Sequence, residues 1–93
     1  MKILLLQAEI RFYSAFSLKD KRSVLKRIID RLRTRLNVTV AEIDHHDEWQ
    51  LATIAIITVS MLESRVEKTI QACIKEIELS GDVEILAENR EWL

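Results

Sequence analysis

The sequence is poor in the residues that build specialised loops and covalent cross-links. It has no proline, one glycine (Gly81) and one cysteine (Cys73) among its 93 residues. A loop that wraps backbone N–H groups around a phosphate needs glycine, because only a residue without Cβ permits that approach. No such loop can be drawn here, which argues against enzymes built on glycine-rich phosphate motifs. A single cysteine cannot form an internal disulfide, which fits a reducing compartment.

Long hydrophobic runs are also missing. The first ten residues, MKILLLQAEI, hold a four-residue apolar stretch that Gln7 and Glu9 bring to an end. This stretch is too short for the core of a signal peptide or for a membrane span. The sequence therefore predicts a soluble protein of the cytoplasm with no membrane partner.

The remaining composition is ordinary for a globular protein, with 48% hydrophobic and 31% charged residues. This composition and length predict a single domain over residues 1–93. A chain this short buries only about 60% of the surface that its unfolded form exposes. The modest core favours self-association into a dimer or a larger assembly.

Apolar residues recur with the period of a strand in some segments and with the period of a helix in others. The predicted elements are β1 (2–12), α1 (roughly 18–36), β2 (38–44), β3 (51–59), α2 (from a cap at 60 to a stop at 81) and β4 (82–88). The order β-α-β-β-α-β is that of the ferredoxin-like split βαβ fold. We therefore predict an α+β protein with a four-stranded antiparallel sheet, β1 and β3 in its middle, and two helices on one face.

Local signals place the ends of these elements. Ser17 with Asp20, and Ser60 with Glu63, have the spacing of helix-capping boxes. Asn37 tolerates the left-handed conformation that ends a helix, and Gly81 is expected to end α2. The alternation in β2 slips near Ala41, which indicates a bulge.

The net charge of −1 conceals an uneven distribution of charged residues. Residues 19–35 contain eight basic and two acidic side chains, a net charge of +6, whereas the rest of the chain sums to −7. On a helical wheel, Lys19, Arg22, Lys26 and Arg33 lie within about 60° of one another. Lys19, Lys21 and Arg22 also crowd the first turns of α1, where the helix dipole disfavours cations.

Such a cationic strip suits the regularly spaced phosphates of RNA. The candidate binding residues for nucleic acid or another anion are Lys19, Lys21, Arg22, Lys26 and Arg33. The alternative is a solvated helix face, or a face that pairs with the acidic surface of another copy. Both interpretations stay open at this point.

The connection between β2 and β3 collects Asp44, His45, His46, Asp47 and Glu48. Adjacent ligands on one short turn rarely converge on a single ion, so a polar hairpin connection is favoured and no metal or cofactor is predicted. The sequence leaves metal binding by the two histidines open. Trp49 is expected to pack the loop against the domain. No spacing of acids, bases or nucleophiles indicates a catalytic site.

The predicted outer face of the sheet is aliphatic at one end. On β1 it carries Ile3 and Leu5, and both faces of β3 are apolar. Neither central strand offers an exposed aromatic side chain for stacking RNA bases. A patch of this kind marks a protein interface, so we expect a second copy to cover the sheet in a symmetric pairing.

Three sequence blocks carry a family resemblance. They are SLK-x-KR-x-VLK at the start of α1, N-V-[ST]-VAE in β2 and D-x-W-Q before β3, all within residues 17–57. With these blocks in order the chain resembles the YlxP-like family of small, uncharacterised bacterial proteins. The resemblance implies a ferredoxin-like α+β fold. Members tend to be encoded beside genes for translation initiation and ribosome maturation, which is an association with RNA and not a mechanism.

Two functional hypotheses follow. The first is a non-enzymatic accessory protein that docks on structured RNA or a ribosomal particle through α1. The second is a homo-oligomeric interaction module, or a sensor of a small anion, with no nucleic-acid partner.

Overall fold

Six elements follow one another in the computed structural model, which describes residues 1–93. They are β1 (Lys2–Phe12), α1 (Leu18–Arg35), β2 (Thr39–Asp44), β3 (Leu51–Ser60), α2 (Glu63–Glu78) and β4 (Val83–Trp92). The strands form one antiparallel sheet in the order β2-β3-β1-β4, with both helices on one face. The predicted ferredoxin-like α+β fold is confirmed.

The core lies between the helices and one face of the sheet. Every second residue of β1, from Leu4 to Phe12, is buried, because successive side chains of a strand point to opposite faces. The helices supply the other half of the core through Leu25, Ile28 and Leu32 of α1 and a matching stripe on α2. This arrangement fixes which side of α1 faces solvent.

The opposite face of the sheet has no covering layer. Its central strands pair Ile3 with Val59 and Leu5 with Ile57, and the register places these side chains side by side. We call this cluster the aliphatic patch; it consists of Ile3, Leu5, Ala55, Ile57 and Val59. Further exposed apolar side chains lie at the same end of the sheet, where β1 starts and β3 and β4 end: Met1, Met61, Leu62, Trp92 and Leu93.

The start of α1 follows the prediction and its end does not. The Ser17 hydroxyl accepts a hydrogen bond from the Asp20 N–H at 3.0 Å, as an N-cap should. At the other end the capping residue is Leu36 in an extended conformation, and Asn37 is not left-handed. The Asn37 amide instead donates to the Val59 carbonyl at 3.2 Å, so a tertiary contact determines how α1 ends.

The predicted capping box of α2 is wrong. Ser60 is the last residue of β3, where it pairs with Lys2, and α2 begins three residues later. Leu62 occupies the cap position without a side-chain hydrogen bond, while the Ser60 hydroxyl accepts from the Leu62 N–H at 3.2 Å. Gly81 does adopt a left-handed conformation, with φ of 74°, but α2 has already ended at Glu78.

Both edge strands contain an irregularity. In β2 the register shifts between Glu42 and Asp44, which confirms the predicted bulge and places it at Ile43. In β4 the register shifts at Leu86, because Ala87 pairs with Glu9 while Ile85 pairs with Ile10. β4 also continues to Trp92, beyond the predicted end at residue 88. Backbone pairing with β1 extends the strand, and the polar residues after position 88 show no alternation that would have predicted it.

Cys73 packs in the core. Its side chain is buried on α2. Burial, and secondly the nearby Glu76 carboxylate, raises the pKa of Cys73 to about 11. A buried thiol with a raised pKa is a poor nucleophile, in keeping with a packing role.

Candidate nucleic-acid interface

The exposed side of α1 is the most cationic surface of the molecule. Because Leu25, Ile28 and Leu32 face the core, the basic side chains around the rest of the helix face solvent. We define the cationic face of α1 by its exposed basic residues Lys19, Arg22, Lys26, Arg27, Arg31 and Arg33.

Lys21 is not part of this face, which corrects the sequence prediction. Its side chain is 0% exposed. Its ammonium donates to the carbonyl oxygens of His45 at 2.8 Å, Leu51 at 3.1 Å and His46 at 3.3 Å, and it lies 3.3 Å from Oε2 of Glu42. An ammonium has three donors, and four acceptors surround this one. Lys21 is therefore unavailable to a phosphate.

The helical period explains why Lys21 points inward. Lys21 precedes Leu25 by four residues and Ile28 by seven, so it lies on the buried stripe of α1. Its apolar stem continues that stripe, and its ammonium reaches the connection between β2 and β3. Lys21 thus fastens the first turns of α1 to that connection, a structural role that the spacing alone could have indicated.

The other four predicted residues lie on the surface, and their side chains differ in the partners that they have within the chain. Lys26 pairs with Asp30 at 3.0 Å, an exposed contact one helical turn apart. Arg33 donates from Nη2 to the Val40 carbonyl at 2.7 Å, and no carboxylate pairs with it. The side chains of Lys19 and Arg22 make no hydrogen bond or ion pair within the chain.

The prediction missed two members of the cationic face. Arg27 and Arg31 are exposed and have no partner in the chain. At 100° per residue Arg27 lies about 130° from the centre of the buried stripe, and Arg31 lies about 90° from it, on the opposite flank from Arg22 and Arg33. The helical wheel could therefore have found both. Arg35 differs, because it pairs with Glu76 of α2 at 2.9 Å.

A groove runs between α1 and the edge strand β2. Its volume is about 420 Å³. Leu25, Ile29 and Val40 supply an apolar floor, and the cations Arg22, Lys26 and Arg33 stand beside it. The remaining lining residues are Asp30, Ala41 and Glu42. We call this feature the α1–β2 groove.

The two histidines, for which the sequence left metal binding open, lie in a carboxylate-rich loop. His45 has a left-handed backbone, with φ of 63°. Its Nδ1 lies 3.1 Å from Glu48, and its Nε2 lies 3.3 Å from Glu9 and 3.9 Å from Asp44. The chain does not gather three or more such side chains in a geometry that could hold a metal ion. The residue Trp49 is 55% exposed, so the expectation that it anchors the loop is wrong.

The same carboxylates make folding stability depend on pH through His45. The hydrogen bond to Glu48, followed by the charges of Asp44 and Glu48, raises the pKa of His45 above its usual 6.5. Because the pKa of His45 is higher in the folded than in the unfolded protein, the protonated imidazole stabilises the fold. This stabilisation is complete at pH values below the unfolded-state pKa, and it is lost as the pH rises through the folded-state pKa. We expect His45→Asn, which tolerates the left-handed backbone, to lose more stability relative to wild type at pH 5.5 than at pH 8.5.

Urea denaturation of both proteins at the two pH values measures this difference. A gap that is constant or that grows with pH would contradict the role assigned to the His45 imidazolium.

Neither helix combines the length and apolar composition that crossing a membrane requires. Residues 3–90 match a protein family described as "Protein of unknown function (DUF503)". A curated relative, "Uncharacterized protein YlxP" of Bacillus subtilis (strain 168), is 36% identical over 86 residues, which cover 92% of this chain and 94% of the relative.

Two solved structures are similar in fold. The de novo designed protein Foldit4 has a TM-score of 0.57 at 15% identity, with 98% of this chain and 96% of the designed chain covered. A second de novo designed protein, LFR1 1, is described as having a ferredoxin fold and has a TM-score of 0.54 at 13% identity. Its match covers 100% of this chain and 84% of the design. At these identities the likeness concerns the fold alone.

Proposed function

The chain belongs to the DUF503 family, whose description assigns no activity, and we propose that it is a non-enzymatic accessory protein of the cytoplasm. It contacts structured RNA, free or within a ribosomal particle, through the cationic face of α1. Lys19, Arg22, Lys26 and Arg33 contact phosphates, and Arg27 and Arg31 widen the contact. Lys21 holds the helix in place and takes no part in binding.

The observation that carries this proposal is how few carboxylates oppose the cationic face. Of its six cations only Lys26 pairs with a carboxylate, and that exposed pair is weak. From Lys19 to Arg33 the helix rises about 21 Å, at about 1.5 Å per residue. Several phosphates of one RNA strand fit along that length. The acidic remainder of the chain confines RNA to this side of the molecule.

The test is the affinity for an RNA hairpin measured against salt concentration. Each phosphate contact contributes about −0.9 to the slope of log K against log salt on a duplex, so several contacts give a steep slope. Inorganic phosphate that binds as tightly as the hairpin would assign the same side chains to a small-anion sensor.

A second candidate function rests on the uncovered face of the sheet. The aliphatic patch is one continuous cluster on the uncovered face, and further exposed apolar residues lie at the same end of the sheet. Contiguous apolar surface of this kind marks protein interfaces, and a symmetric dimer would place one patch on the other. In this role the chain is a homo-oligomeric interaction module, which leaves the cationic face of α1 free.

This second function predicts a specific loss of self-association. Val59 is 41% exposed at the end of β3, so Val59→Lys places a charge in the patch at little cost to the monomer. Thr53→Lys adds the same charge to the same face of β3, at its polar end. We expect light scattering across a dilution series to show a dimer for wild type and Thr53→Lys and a monomer for Val59→Lys. A wild-type protein that stays monomeric at every concentration would remove this candidate.

A further inference from the structure

We propose that the α1–β2 groove binds an unpaired guanosine of the RNA, with Glu42 as the acceptor for its base. This inference rests on the proposed function and adds a base preference to it. The groove lies beside Arg22, Lys26 and Arg33, so a nucleotide that contacts these cations through its phosphates has its base next to the apolar floor.

Glu42 is a preorganised carboxylate at this groove. Its side chain is only 22% exposed, and Oε2 lies 3.3 Å from the Lys21 ammonium. Lys21 is itself fixed by three backbone carbonyls, so the carboxylate has little freedom to turn away. The other oxygen, Oε1, has His46 at 4.0 Å, which is beyond hydrogen-bond distance. Oε1 can therefore accept hydrogen bonds from a ligand, and Oε2 has lone-pair capacity left.

The chemistry of the bases selects guanine for such an acceptor. Guanine presents two adjacent donors, N1–H and the 2-amino group, that match both oxygens of one carboxylate. Adenine and cytosine place a ring-nitrogen acceptor beside their amino group, which a carboxylate repels. Uracil offers a single N–H between two carbonyl oxygens. Unpaired bases are read on this edge, which is inaccessible in a duplex.

The dimensions and the contacts of the groove favour a nucleotide over an added peptide strand. Its volume of about 420 Å³ falls within the range of small-ligand sites. A peptide that extends the sheet would need the outward backbone groups of β2. Arg33 already occupies the Val40 carbonyl at 2.7 Å, which blocks that pairing in the middle of the strand.

The experiment compares three RNA pentamers, UUGUU, UUIUU with inosine, and UUAUU, in binding to the wild-type protein at low salt. We expect a preference of about 5- to 150-fold for guanosine over adenosine, the discrimination typical of a bidentate contact. Inosine lacks the 2-amino group and should fall between the two. Glu42→Gln, which retains an oxygen for Lys21, should reduce the guanosine preference to under about threefold with an unchanged salt slope.

Because the inosine comparison uses the wild-type protein, it does not depend on the folding of the variant. Equal affinities for the three pentamers, with a steep salt slope, would overturn the guanosine site and leave RNA contact by α1 intact. No binding of any pentamer or of the hairpin would overturn both. An acidic peptide that displaces the RNA, with no base preference among the pentamers, would assign the groove to a protein segment instead.

Discussion

Lys21→Met is expected to lower the free energy of unfolding by about 3–5 kcal/mol, the cost of removing one partner of a buried ion pair. Methionine keeps the apolar stem in the core, so the loss comes from the ammonium. Without it, Glu42 is left as a partly buried charge without its partner. The carbonyls of His45, His46 and Leu51 also lose their donor. For a small domain with a total stability of about 5–15 kcal/mol, this is a large fraction.

The matched control is Lys19→Met, two residues earlier on the same helix. Lys19 is exposed and has no partner in the chain, so we expect its replacement to change stability by less than about 0.5 kcal/mol. Urea denaturation of both variants measures the contrast. Similar costs for the two substitutions would show that Lys21 does not fasten α1 to the β2–β3 connection.

Replacing Lys19, Arg22 and Lys26 together by alanine is expected to weaken binding of an RNA hairpin several hundred-fold at 0.1 M salt. Three lost phosphate contacts reduce the salt slope by about 2.7, which corresponds to roughly 500-fold at that concentration. Arg33 is left in place because it bonds the Val40 carbonyl. The three replaced side chains are exposed and none is buried in an ion pair, so the variant should fold like wild type.

The control for this variant carries the same loss of charge on the neighbouring helix. Arg65, Lys68 and Lys75 of α2 are exposed and form no ion pair within the chain. Their replacement by alanine should weaken RNA binding by less than about threefold, because only the long-range attraction changes. Equal losses for the two triple variants would mean that total charge, and not the face of α1, governs binding.

The sequence was sufficient to predict the fold because the spacing of its hydrophobic residues distinguishes strands from helices. The alternation from Leu4 to Phe12 predicts a strand with one buried face, and the structure buries those residues. The helical spacing of Leu25, Ile28 and Leu32 does the same for α1. Each pattern lies within one short segment, and the residues that it marks as apolar are those that pack in the core.

The ends of the elements were less predictable, because tertiary contacts decide them. Asn37 favours the left-handed backbone conformation that ends many helices, but here its side-chain amide donates a hydrogen bond to the Val59 carbonyl instead. Ser60 has the spacing of a cap, but pairing with Lys2 draws it into β3. Neither contact can be predicted from the residues next to Asn37 or Ser60.

The candidate site, too, could be predicted only in part from the sequence. The charge count located the cationic helix correctly, but it grouped Lys21 with the exposed binding residues. The helical period alone could have placed Lys21 on the buried stripe. What the sequence could not supply is the position of the His45, His46 and Leu51 carbonyls around its ammonium, since the backbone path of the β2–β3 connection sets it.

The most direct measurement is the slope of log K against log salt for an RNA hairpin bound to wild type and to the Lys19, Arg22 and Lys26 alanine variant. We expect a wild-type slope of about −3.6 to −5.4, for four to six contacts at about 0.9 each, and a variant slope that is flatter by about 2.7. A wild-type slope that the three substitutions leave unchanged, or an absence of binding at low salt, would contradict RNA contact by α1.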